Sequence, residues 1–268
     1  MLIERRVYIF LSLLFLVILV GSCRKKEAAV EFKAVPLEKK SHTYNTDFYH
    51  ISVEYPLEIW DYNHDMQQYV ESVVAFYKRD WSPGGMHYEK EMSFRDVDDE
   101  KEYPKRELYV RFQKYSAARL NIHSYLFSSY AHSGGANGTT VVAAFNFNQN
   151  GMIEYDELFS MTSEQEISLT RLLAQQLKDS TSQFDPGMVQ QGLGLAYISA
   201  EDGSLDSLSM KKRDFTFKSN FSAVVLADTG IHFHFDKYAL APGSSGTTSV
   251  FLSWEQVRPY LGSEFRSN

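Results

Sequence analysis

The stretch Thr139–Glu157, TTVVAAFNFNQNGMIEYDE, decides between two folds. Counted from Asn146, oxygen-bearing side chains fall at loop positions 1, 3, 5, 9 and 12, with glycine at 6 and isoleucine at 8. That is the spacing of a helix–loop–helix calcium site. Counted from Thr139, the same residues are a β-branched and aromatic run that ends in Asn150-Gly151, the signal of a hairpin turn. Positions 1, 3 and 5 are neutral asparagines, which offset the dehydration of a cation less well than carboxylates do. The stretch is therefore expected to be strand–turn–strand, with no metal bound.

Outward from it, the pattern alternates between sheet and helix. Upstream, Tyr49, Ile51, Val53 and Tyr55 alternate with polar residues, as in a half-buried strand. Met66, Tyr69, Val70, Val73, Phe76 and Tyr77 form one helical stripe. Glu107 to Gln113 and Arg119 to Tyr130 read as long strands. Downstream, Thr162 or Ser163 caps a second helix with Glu166, and Leu169, Leu172, Leu173 and Leu177 line its face. Phe215 to Leu226, Ile231 to Phe235 and Thr247 to Ser253 read as strands, and Trp254 to Leu261 as a terminal helix. Two blocks of strands with one amphipathic helix each predict an α+β fold of two small antiparallel lobes, at residues 41–140 and 141–262.

The N-terminus has a different grammar. Arg5 and Arg6 precede Val7–Val20, an uncharged run of 14 residues, and Val20-Gly21-Ser22-Cys23 follows. A bilayer-spanning helix needs about 20 residues, so the run is short for an anchor and suits a signal peptide. The last four residues resemble the lipobox of bacterial lipoproteins. Residues 1–22 are thus expected to be removed, Cys23 to carry the lipid, and residues 23–40, rich in Lys, Glu and Ala, to form a tether. Cys23 is the sole cysteine, so the mature chain would have neither a disulfide nor a thiolate metal site. The expected location is the cell envelope, on the periplasmic face or at the outer membrane.

The net charge of −7 becomes −8 once Glu4, Arg5 and Arg6 are removed. An acidic chain argues against nucleic acid as partner and suits a cationic protein. His232 and His234 share one face of a strand, a spacing zinc sites use. A third ligand is needed, and His123 or His132 would serve only if folding brought them near; the two histidines are read as a wet face behind Phe233 and Phe235. HExxH, GxSxG, P-loop and dinucleotide signatures are absent from the sequence. No catalytic residue and no cofactor is assigned.

Tyr130-Ala131-His132-Ser133-Gly134-Gly135-Ala136-Asn137-Gly138 resembles the "Y-x-G-G-A-H" loop of a family of bacterial envelope domains. Phe145-Asn146-Phe147, Gly151 and Asp156-Glu157-Leu158-Phe159 resemble the hairpin and "D-L-F" that follow in that family. Ile231 to Tyr238 with Ala241-Pro242-Gly243 resembles its "F-Y-F-x-x-Y-E-I-A-P-Y-A-x-G" segment. The family forms the extracellular part of the lysozyme-sensing anti-sigma factor and the non-catalytic N-terminal region of certain peptidoglycan deacetylases. Asn137 replaces the family's histidine, Ala239-Leu240 stands where "E-I" is usual, and Ser244 follows Gly243. With the lipobox and the lack of catalytic motifs, the resemblance implies a lipid-anchored module that binds a cell-wall-related ligand or a protein such as lysozyme. The contact residues it implies are Tyr130, Gly134, Gly135, Asn137, Tyr238 and Pro242, with Tyr238 the more structural of the two tyrosines. A glycan or peptidoglycan hydrolase with unrecognised carboxylates, and a purely structural lipoprotein, are the alternatives.

Overall fold

A computed structural model describes residues 38–57, 62–94, 105–132, 137–180 and 184–266. Cys23, the signal and most of the tether lie outside the described residues, as do Gly134 and Gly135. Among the described residues no helix is long and apolar enough to cross a membrane.

Residues 38–268 form one compact unit. It begins with β1 (Lys39–Asn45), antiparallel to β2 (Tyr49–Pro56). Helices α1 (Tyr62–Asp80) and α2 (Met86–Phe94) then carry the chain to β3 (Arg106–Ala117), which pairs with β2 in parallel, Ile51 opposite Leu108. Parallel neighbours require such a crossover. The α+β class holds, but this one pair departs from the antiparallel expectation. Side chains alternate identically in both kinds of ladder, so the sequence pattern does not separate them. β4 (Ile122–His132) and β5 (Thr139–Asn148) continue the sheet antiparallel, and β6 (Gly151–Met152) closes a six-stranded sheet in chain order.

The stretch that opened the sequence reading is thus a hairpin, with Asn148 opposite Gly151 and a turn of two residues between them. Gly151 has φ +123°, a value that favours glycine. Glu157, the twelfth position of the alternative calcium loop, instead accepts the Glu154 amide at 2.9 Å, capping α3 (Tyr155–Leu158).

α4 (Ser163–Ser180) begins at Thr162, whose hydroxyl accepts the Gln165 amide while the Gln165 side chain accepts the Thr162 amide. The box therefore closes on Gln165, one residue before the expected Glu166. α5 (Pro186–Gly192) and α6 (Ser207–Lys212) are short, each capped by an aspartate, Asp185 or Asp206. Residues 215–226 are not one strand. Thr216 caps α7 (Phe217–Asn220), and Phe217 and Phe221, four apart, bury one helical face. Only β7 (Val224–Ala227) is extended there; with β8 (Gly230–Phe235) and β9 (Thr248–Ser253) it makes a second, antiparallel sheet. α8 (Trp254–Val257) and α9 (Ser263–Arg266) end the chain.

Each sheet has its own core. α1 lays Met66, Val70, Val74 and Tyr77 on one face of the large sheet, against Ile51, Val110 and Phe127. Ile231, Phe233 and Phe235 of β8 face α4 through Leu169, Leu173 and Leu177. The sheets meet where β7 crosses the other face of the large one. There the Ser124 hydroxyl accepts the Leu226 amide at 3.0 Å, and the Asn146 amide donates to the Val224 carbonyl at 3.1 Å.

Candidate functional site

The segment after β8 is tied to the start of β5. The Lys237 amide donates to the Thr140 carbonyl at 3.0 Å, and its ammonium donates to the Gly138 carbonyl at 2.7 Å. Asp236 accepts the Val142 amide at 2.8 Å. Burial raises the Asp236 carboxyl pKa, and that amide opposes the rise. Two sequence segments about a hundred residues apart thereby share one rim.

Each of the two tyrosines covers a glycine. A Cβ on Gly138 would lie 2.3 Å from the Tyr130 ring, and one on Gly243 would lie 2.0 Å from the Tyr238 ring. Tyr130, half-buried, also leans on Tyr109 across the ladder at 6.2 Å. Tyr238 has φ +73°, unusual for a bulky residue, and is 43% exposed, with the Lys237 ammonium 5.1 Å from its ring centre. One face of Tyr238 therefore packs and the other stays open. Asn137 and Pro242 are exposed. Of the residues the sequence singled out, Tyr130, Asn137, Tyr238 and Pro242 sit in the two segments that Lys237 joins.

A cleft of about 500 Å³ runs beside this rim, between the free face of the large sheet and the edge of the small one. Arg111 and Gln113 of β3, Leu126 and Ser128 of β4 and Val142 of β5 line one wall; His234 and Thr247–Ser249 line the other. Apart from His234, none of these had a sequence signal. They are single polar or aliphatic residues on five segments, and only sheet pairing aligns them. The register Arg111–Ser128–Val142 runs beside Tyr109–Tyr130–Thr140, so the cleft and the tyrosine pair occupy one sheet face. No aspartate or glutamate is among the described lining residues.

His232 and His234 stack at 6.2 Å, and Tyr115 of the large sheet lies 6.0 and 6.3 Å from their rings. They face the other sheet, half-buried, and not the wet surface expected, because Tyr115 covers them; Phe233 and Phe235 fill the core as expected. His123 alternates with Ser124 and so points away from the sheet contact; its Nδ1 lies 3.2 Å from the Ser116 hydroxyl. Among the described residues no group of three or more His, Cys, Asp or Glu side chains is placed to hold a metal.

Burial, and then the charge of His232, hold the His234 pKa down at about 4, below the ordinary 6.5. The unfolded chain takes up this proton at the higher pH. Between those two values the unfolded state binds more protons, so stability falls as pH drops through that window. Above it the group contributes no pH dependence. Asp236 and Glu166, both raised chiefly by burial, act with the opposite sign. The melting temperature of His234→Phe relative to the parent protein is therefore expected to rise between neutral pH and about pH 4. A difference that stays constant would show that His234 is not held neutral.

Residues 156–255 match the family described as "Protein of unknown function (DUF3298)". The chain is 24% identical over 173 residues to the peptidoglycan-N-acetylmuramic acid deacetylase PdaC of Bacillus subtilis, covering 64% of this chain and 32% of that protein. The chain thus spans about a third of the length of that relative. Two crystal structures of DUF3298 family proteins are similar to it. One, from Bacteroides fragilis, has a TM-score of 0.47 at 15% identity and covers 87% of this chain and 98% of its own. The other, from Pseudomonas aeruginosa, has a TM-score of 0.46 at 13% identity and covers 86% and 97%. From α3 into α8 the chain is thus similar to the DUF3298 family, and over 173 residues it is similar to a region of a peptidoglycan deacetylase.

Proposed function

We propose that the protein is a lipid-anchored module of the cell envelope that binds a cell-wall-related ligand without transforming it. The observation that carries this reading is the shared rim: Lys237 joins the Gly138 and Tyr238 segments, leaving Tyr238, Asn137 and Pro242 exposed around it. Relatedness to part of a protein named for its action on peptidoglycan supports the class of ligand. Gly134 and Gly135 complete the proposed contact surface. Cys23 is the module's attachment to the membrane. A protein partner such as lysozyme is the second occupant in view, because the acidic chain suits a cationic surface.

Co-sedimentation with purified peptidoglycan sacculi tests the proposal. Tyr238→Ala is expected to weaken retention at least about tenfold, or 1.4 kcal/mol, while the melting temperature stays close to the parent value. Both rings cover a glycine, but Tyr130 is half-buried and also leans on Tyr109 while Tyr238 is 43% exposed, so Tyr130→Ala is expected to lower both retention and melting temperature, the reverse of the order expected from sequence. Retention by lysozyme-coated resin but not by sacculi would name the protein partner. Retention by neither would overturn the reading.

A further inference from the structure

We infer that the cleft between the two sheets is a site of its own, shaped for a neutral, hydroxyl-rich ligand of one or two sugar rings. The inference deepens the proposed cell-wall role but rests on different residues from the tyrosine rim. Its volume of about 500 Å³ lies within the range of small-molecule sites, roughly 300–1,000 Å³.

The wall chemistry selects the ligand. Gln113 contributes an amide, and Ser128, Thr247 and Ser249 contribute hydroxyls. The hydroxyls are short neutral groups that both donate and accept, and Gln113, whose Oε1 already accepts the Tyr115 hydroxyl at 2.9 Å, keeps its NH2 to donate; together they match sugar hydroxyls and acetamido groups. Leu126 and Tyr115 give the cleft an apolar strip suited to the C–H face of a pyranose ring. The groups come from strands of both sheets, so the site is built on rigid elements.

Charge decides against an anion. Arg111 is the only cation in the described lining, and its guanidinium is already engaged. Nη1 donates to the Ser52 carbonyl at 3.0 Å and the Val110 carbonyl at 2.9 Å, and Nη2 donates to the Ser52 hydroxyl at 3.2 Å. Glu54 stands 4.0 Å from Nε and offsets the charge. A carboxylate entering the cleft would lose its water without gaining a bidentate partner. A neutral saccharide gives up far less hydration. At the cleft wall, His234 adds a further polar demand: its buried Nε2 has no hydrogen-bond partner among the described residues. Such groups are rare in native proteins.

Amide chemical-shift mapping of the purified protein tests this, with N,N′-diacetylchitobiose as the neutral probe and glucuronic acid as the anionic one. The disaccharide is expected to shift the Gln113, Ser128 and Thr247 amides. Gln113→Leu and Thr247→Val are expected to weaken it at least about tenfold with the fold retained in the spectrum. Leu208→Ala, exposed on α6 and outside the cleft lining, is expected to bind it like the parent protein. Glucuronic acid binding more tightly than the disaccharide would overturn the neutral-ligand assignment. Shifts confined to Tyr130 and Tyr238, or no shifts at all, would overturn the cleft site. The two proposals fail separately: disaccharide bound in the cleft without sacculus retention sinks the cell-wall reading alone, and sacculus retention unchanged in Gln113→Leu without disaccharide shifts sinks the cleft alone.

Discussion

Cys23→Ala protein is expected to incorporate no radiolabelled acyl chain and to keep residues 1–22. The effect should be all-or-none, because Cys23 supplies the only thiol in the chain and no other side chain at that site is a comparable nucleophile. One acyl chain gives only marginal membrane binding, so stable attachment needs more than one on the same residue or a second signal. Arg24, Lys25 and Lys26 lie immediately beyond and would add attraction to anionic headgroups. Metabolic labelling and intact-mass measurement of the membrane fraction check the prediction together. A membrane-bound parent protein with an intact Met1 end would show that the N-terminal run is a retained anchor.

Phe233→Ala should be the most damaging single change in the folded unit. Phe233 is 0% exposed, and its ring meets Phe159 at 5.9 Å and Phe221 at 6.1 Å. Truncating a buried phenylalanine costs about 3–5 kcal/mol, from lost transfer energy and the cavity left behind. Typical total stabilities are about 5–15 kcal/mol, and this domain would have no disulfide in reserve. Urea titration is expected to move the midpoint sharply down with little change of slope. Phe251 is the control. It lies on the adjacent strand, is 39% exposed and touches His232 at 4.9 Å on the opposite face. Phe251→Ala is expected to cost on the order of 1 kcal/mol. Equal losses in the two variants would mean that β8 does not present its faces as described.

The period of each segment was legible in the sequence wherever one face is buried and the other wet. Alternation identified β2 and β8, and three–four spacing identified α1 and α4, because burial on one side writes its own period. The signal failed where several orders shared the same residues. Phe217 and Phe221 are both compatible with a strand, and the Thr216 cap tipped them into a helical turn. α2 carries no clean stripe and went unread. The hairpin was legible from Asn150-Gly151, although its two turn residues are Gln149 and Asn150; Gly151, at φ +123°, is the first residue of β6 and eases the chain out of the turn.

By itself the sequence determined the α+β class, the hairpin at Asn150-Gly151 and the two motif segments. Those depend on neighbours a few residues apart, which the chain order already supplies. Tertiary structure alone decided the parallel pairing of β2 with β3, the bond from Lys237 to Gly138 and the cleft. Pairing direction leaves no trace in side-chain alternation. A lysine about a hundred residues from its acceptor has no spacing to announce it. The cleft draws Gln113, Ser128 and Thr247 from three strands or their flanks, each an ordinary polar residue until two sheets set them opposite one another.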